Sequence, residues 1–267
     1  MSKTPLKHKK LFLFDIDGTI AVEDTLYEGS AALLDYITNT GGKSYFITNN
    51  STKSSKDYVE KFRRAFHLET SEEQFITSGY MTIRFLKEHY ASDKIYVLGT
   101  ASFINELRKN NLHITETAED HIACAVVAYD SELNYHKLIQ ACKVLSTTEI
   151  PFYATNPDLC CPVDFGFIPD CGAICNMIAD SVGKRPVYLG KPNPSVVDLC
   201  LSLSGFTRPE TLVVGDRLYT DIACGINGGV DTCVVFTGEA RPEHMADTPY
   251  QADYCFDNIK ELFSHLT

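Results

Sequence analysis

Short apolar runs alternate along this sequence with longer segments whose apolar residues recur at helical period. Runs at 11–16, 44–48, 94–98, 122–128, 152–154, 211–215 and 232–236 read as strands. Segments 31–39, 56–66, 80–89, 135–145, 173–182, 194–203 and 258–266 read as helices. Because parallel strands need a helical crossover to return the chain, this pattern predicts βαβ units and an α/β fold with a parallel sheet. With 267 residues the chain exceeds the usual size of a single core, so two domains are expected. No Gly/Ser linker, low-complexity tract or repeat divides it, so a second domain has to be an insertion, entered near Thr77-Ser78-Gly79 and left near Gly183-Lys184-Arg185-Pro186.

Charge narrows the function. An excess of 35 acidic over 24 basic residues, net −11, argues against a nucleic-acid surface. An anionic substrate would need a local positive centre or a metal. The N-terminus MSKTPLKHKK is basic, but the apolar run behind it stops at Asp15, too short for a signal peptide or a membrane span, so a cytoplasmic location is expected. The ten cysteines are scattered through apolar segments and read as reduced, buried thiols. Cys160, Cys161, Cys171 and Cys175 lack paired zinc spacing and nearby histidines.

Four polar clusters follow strands or open helices: DIDGT with Asp15 and Asp17; ITNNS with Thr48, Asn49 and Asn50; GKPNP with Lys191; and GDRLYTD with Asp216 and Asp221. In open parallel sheets functional side chains collect at the carboxyl ends of strands, so the clusters read together as one site. Four aspartates there against one lysine require either protonated carboxylates or a cation. A hard, oxygen-liganded dication that keeps some waters and also meets a phosphate, Mg²⁺, suits that set. Each motif also has a plainer reading. Asp-Gly after a strand is turn chemistry, Thr48-Asn49-Asn50 could cap a helix, Lys191 could be a solvated loop lysine, and Asp216 and Asp221 could cap and face water.

These motifs, DIDGT, FITNNSTKS, ATNPD, YLGKPNPSV and VVGDRLYTDI, resemble the haloacid dehalogenase (HAD) superfamily, and within it subfamily IIA, the NagD-like or p-nitrophenyl phosphatase group. The resemblance implies a Rossmann-like core over 1–77 and 185–267 with an inserted α/β cap of the C2 type over 78–184. It further implies that Asp15 is a nucleophile forming an aspartyl-phosphate and that Asp17 is first general acid and then general base, with its carbonyl on Mg²⁺. Thr48 and the Asn49 N–H would hold phosphoryl oxygens, Lys191 would neutralise charge, and Asp15, Asp17 and Asp216 would ligate the metal. Asp221 and Asn50 would orient these groups from behind. Since a halide leaves without a proton, Asp17 favours phosphate-ester hydrolysis over dehalogenation.

The expected activity is hydrolysis of small phosphorylated metabolites, nucleoside monophosphates or sugar phosphates among them. Alternatives are a phosphotransferase or mutase that uses the same aspartyl-phosphate, and a non-catalytic phosphometabolite-binding module. Specificity should reside in the cap, where Asn156, Asp158, Cys171 and Gly172 are candidates for substrate contact. Asn156 and Asp158 read equally well as an Asx-Pro turn that holds the cap together. A homodimer formed through the cap would suit the resemblance.

Overall fold

A computed structural model describes residues 4–163 and 165–267. Met1 to Lys3 of the basic N-terminus and Asp164 of the expected cap span 78–184 lie outside the described residues. The backbone forms two compact units. One comprises the chain up to Thr48, Ser55–Ile76 and Lys191–Thr267; the other comprises Thr77–Gly190 together with Asn49–Ser54.

The first unit is built on a six-stranded sheet in the order Tyr254–Phe256, Asp231–Val235, Thr211–Gly215, Leu11–Phe14, Lys43–Thr48, Phe75–Thr77. Leu11–Phe14 lies inside this sheet, parallel to a neighbour on each side, with Leu11 opposite both Thr211 and Lys43. All four of its side chains are buried, which explains why the sequence there is continuously apolar instead of alternating. Around it Phe46 packs on Phe62 at 4.7 Å and on Phe75 at 5.0 Å, and Tyr58 stacks on Phe75 at 5.5 Å. The expected strand 11–16 ends at Phe14 because the chain turns immediately afterwards, with the N–H groups of Ile20 and Ala21 both donating to the Ile16 carbonyl.

The expected helix 56–66 is α-helical over Ser55–Lys61 and then widens to a π-turn over Phe62–Phe66. A second π-turn, Leu218–Ile222, follows the strand Thr211–Gly215. Such turns shift the face that a helix presents and recur at functional sites.

The inserted unit carries its own parallel sheet, in the order Val187–Tyr188, Phe152–Ala154, Ile122–Val127, Lys94–Leu98, His113–Thr115. Alternate residues of one strand serve opposite faces. Ile95 and Val97 pack with Phe103, Ile104 and Leu107, whereas Tyr96 and Leu98 pack with Val144, Ile174 and Ile178. Because Val187–Tyr188 pairs with Phe152–Ala154, the unit continues past the Gly183–Pro186 run to Gly190.

Several elements carried no expectation. Helix Ala101–Lys109 is one, although Phe103, Ile104 and Leu107 give it an apolar stripe and Thr100 caps it by accepting from the Phe103 N–H. Others are the short helix Ala223–Asn227 and short strands, among them the edges Phe75–Thr77, His113–Thr115 and Tyr254–Phe256. The cysteines are free thiols, but Cys255 is exposed and not buried as expected, because it sits in the sheet-edge strand Tyr254–Phe256. Among the described residues no helix is long and apolar enough to cross a membrane.

Candidate active site

Asp15 continues the line of Leu11–Phe14 one residue past the strand, its N–H donating to the Val214 carbonyl at 2.9 Å. The neighbouring strand Thr211–Gly215 ends beside it and delivers Asp216. Sheet register therefore brings together carboxylates that are 201 residues apart (216 − 15). Asp15, Asp216 and Asp221 each place one carboxylate oxygen within 4.8 Å of the other two.

Lys191 Nζ donates to Asp15 Oδ1 at 2.6 Å, to Asp221 Oδ1 at 2.7 Å and to the Ile47 carbonyl at 2.9 Å. Asp221 Oδ2 accepts from the Arg217 N–H at 3.0 Å. Both oxygens of Asp221 are thus engaged, which suits an orienting role behind Asp15 and Lys191 more than direct ligation. A Cβ on Gly215 would run into the Asp221 carboxylate, so the glycine of GDRLYTD is the space that this side chain occupies.

Asp216 accepts from the Glu239 N–H at 2.7 Å and from Thr19 Oγ1 at 3.2 Å. The segment around Glu239 is held against the DIDGT turn by Thr237 Oγ1, which donates to the Gly18 carbonyl at 2.6 Å. Gly18 has φ +96°, and a Cβ there would lie 2.7 Å from Asp216 Oδ2, so both conformation and space exclude a side chain.

Asp17 stands apart from the triad, its side chain 38% exposed, with Lys61 Nζ at 3.7 Å. Thr48 is buried at the end of Lys43–Thr48, the strand on the other side of the Asp15 strand. Asn49 donates through Nδ2 to Asp158 Oδ2 at 2.7 Å and accepts at its carbonyl from Ser78 Oγ at 2.6 Å. Asn50 closes a local turn, its Oδ1 accepting from the N–H and the hydroxyl of Thr52.

In the inserted unit Asn156 and Asp158 are buried, and Asn156 Nδ2 donates to Asp158 Oδ2 at 2.8 Å and to Asp170 Oδ1 at 3.1 Å. Cys171 is buried in contact with Thr155 and the Val127 carbonyl. The Gly172 N–H donates to the Asp158 carbonyl at 2.8 Å, and a Cβ there would collide with the Pro157 carbonyl. These hydrogen bonds join Asn156, Asp158, Asp170 and Asn49 in one network.

The electrostatics of the triad point to a cation. Burial pushes the Asp15 carboxyl well above the usual carboxylate range, Lys191 opposes this, and Asp221 and Asp216 push it further up. Asp216 is pushed up to about 6 by burial and by Asp221, against the pull of the Glu239 N–H, Arg217 and Lys191. Burial pulls the Lys191 ammonium down, but Asp15 and Asp221 outweigh it and hold the proton firmly. Three ionised carboxylates against one ammonium would leave two negative charges in a niche lined by oxygen. Such a donor set fits a hard divalent cation.

Sequence reasoning did not single out Lys61, Thr19 or the segment around Glu239. Lys61 had a visible signal, since it occupies the face of its helix that also carries Tyr58 and Phe62. The Glu239 contact had none, because a backbone donor leaves no mark on residue identity.

Residues 12–113 match the Haloacid dehalogenase-like hydrolase family, and residues 188–262 match the related HAD-hydrolase-like family. An acid sugar phosphatase of Staphylococcus aureus is 31% identical over 261 residues, covering 98% of this chain and 99% of that protein. Among solved structures, a 4-nitrophenylphosphatase from Thermotoga maritima superposes with TM-score 0.91 at 33% identity, covering 98% of this chain and 99% of its own. NagD from Escherichia coli K-12 superposes with TM-score 0.84 at 28% identity, covering 95% and 98%. With relatives of this identity matching end to end and the motif residues meeting at the carboxyl ends of the sheet, the chain belongs to the NagD-like, p-nitrophenyl phosphatase branch of the haloacid dehalogenase-like hydrolases and is a phosphoric monoester hydrolase.

Proposed function

We propose that this enzyme hydrolyses phosphate esters of small metabolites, sugar phosphates in the first place, by a Mg²⁺-dependent route through an aspartyl-phosphate on Asp15. One observation carries the proposal: the Asp15 carboxylate is gripped by Lys191 at 2.6 Å inside a buried triad that lacks two units of positive charge. The sugar-phosphate preference draws on the acid sugar phosphatase relative.

Asp15 and Asp216 would hold the ion, helped by the Asp17 carbonyl, with Asp221 fixing Lys191. When bound, the dication offsets carboxylate charge and draws in the phosphate dianion. The Asp15 carboxylate attacks phosphorus as the bond from phosphorus to the ester oxygen breaks. The leaving alkoxide takes its proton from the Asp17 carboxyl. The Asp17 carboxylate then removes a proton from water, which attacks phosphorus and releases inorganic phosphate with Asp15 restored. The Lys191 ammonium balances charge shared by Asp15 and the transferring phosphoryl group, most of all as the Asp15 oxygen regains its charge in the second step, and Thr48 with the Asn49 N–H is assigned to the phosphoryl oxygens.

Replacing Asp15 with Asn tests this directly. Release of p-nitrophenolate and of inorganic phosphate in Mg²⁺ should both fall to background; turnover at the normal rate overturns the proposal. Measuring inorganic phosphate also separates hydrolysis from transfer to a second alcohol.

A further inference from the structure

We propose that Lys61 is a positioning residue for the Asp17 carboxylate, the group that carries protons in both steps of the mechanism above; the inference rests on that reading. Lys61 ends the α-helix Ser55–Lys61 on the face that buries Tyr58 and, one residue later, Phe62. Only 8% of the residue is exposed. Lysine is almost never buried this far unless its charge is answered, since desolvating an ammonium is expensive.

Among the described residues the answer comes from two groups. The Asp17 carboxylate lies 3.7 Å from Nζ, and the Phe66 ring lies beneath it at 5.5 Å to the centroid. The lysine owes its place to the switch from α to π winding after Lys61, which sets Phe62 against Phe46 and Phe75 while Phe66 turns back toward the ammonium.

The separation is informative. At 3.7 Å the pair is attracted but not hydrogen-bonded. Asp15, Asp216 and Asp221 each have hydrogen-bond donors that fix them, whereas Asp17 is described with only this longer ion contact. A hydrogen bond would occupy an oxygen that must give a proton to the alkoxide and take one from water. A cation held just beyond that range aims the carboxylate and leaves its oxygens available. Lys191 grips Asp15 and Asp221 directly, so the two lysines divide the work between the nucleophile and the proton carrier.

A double-mutant cycle tests this, using Lys61→Met, which keeps the buried stem, Asp17→Asn and the double variant, with Lys61→Arg as the conservative rescue. Steady-state kinetics with p-nitrophenyl phosphate and with glycerol 3-phosphate in Mg²⁺ give kcat and KM, and thermal unfolding checks the fold. Lys61→Met should lower kcat for glycerol 3-phosphate by about tenfold with KM within about twofold, the loss for the better leaving group should be smaller, and Lys61→Arg should recover most of it. In the Asp17→Asn background the same change should cost no more than about twofold. Multiplicative losses, or a raised KM with kcat unchanged, overturn the proposal and make Lys61 independent of Asp17 or a substrate ligand. If Asp17→Asn alone retains normal turnover, it is the proton-transfer reading of Asp17 that fails, and the role of Lys61 falls with it.

Discussion

Without a cation, the carboxylate triad should make the stability of this enzyme depend on pH in a sense opposite to that of an ordinary salt-bridged protein. Asp216 is pushed from 3.8 to about 6 in the folded chain, a difference of about two units, or about 3 kcal/mol at 1.36 kcal/mol per unit. A folded-state value above the unfolded one means that the native protein binds the proton more tightly. The contribution is therefore complete below 3.8 and is lost as pH rises through about 6. Between pH 5 and pH 8, linkage assigns roughly 1 kcal/mol of that loss to Asp216 alone, and Asp15 adds to it in the same direction. Urea unfolding in chelator at the two pH values measures it, and the same series on Asp216→Asn subtracts the background of other groups. Saturating Mg²⁺ should restore stability, by about 2.7 kcal/mol at a hundred times the dissociation constant, and more at pH 8 than at pH 5, where protons compete. A wild-type profile no steeper than that of Asp216→Asn, or no stabilisation by Mg²⁺ at pH 8, would refute the reasoning.

Lys191→Met removes the only ammonium hydrogen-bonded to Asp15 and Asp221 among the described contacts and should cost about 3–5 kcal/mol in chelator by urea unfolding, with turnover lost. Lys9→Met offers a contrast. Its buried ammonium donates to the carbonyls of Pro209 and Thr211 and to Asp231, whose side chain keeps 23% exposure, so unfolding should become easier by about 2 kcal/mol while kcat stays unchanged. In Gly238→Ala the new methyl would overlap the Asp216 carboxylate. The Mg²⁺ concentration for half-maximal activity should rise about tenfold or more, read from an activation curve.

Much of the site could be read in one dimension because its residues are marked locally. A buried strand is continuously apolar, so the change at Asp15, Thr48 and Asp216 to polar residues stands out where it occurs. The grip of Lys191 on both Asp15 and Asp221 is another matter, as it depends on three strands being neighbours in one register. Asn50 illustrates the limit of motif reasoning. Its side chain closes a turn onto Thr52, a bond that the motif does not reveal. Asn156 and Asp158 share a buried hydrogen bond that their spacing in the sequence does not specify.

What the sequence by itself determined was the class of fold and the chemical types at the ends of its strands. Both follow from interactions within about ten residues, namely period, capping and the loss of apolar character. Which aspartates meet in one cluster, which are held by Lys191 and which faces Lys61 were decided by tertiary structure alone, because electrostatic energy depends on distances of 2.6–3.7 Å between groups that the chain separates by tens to hundreds of residues.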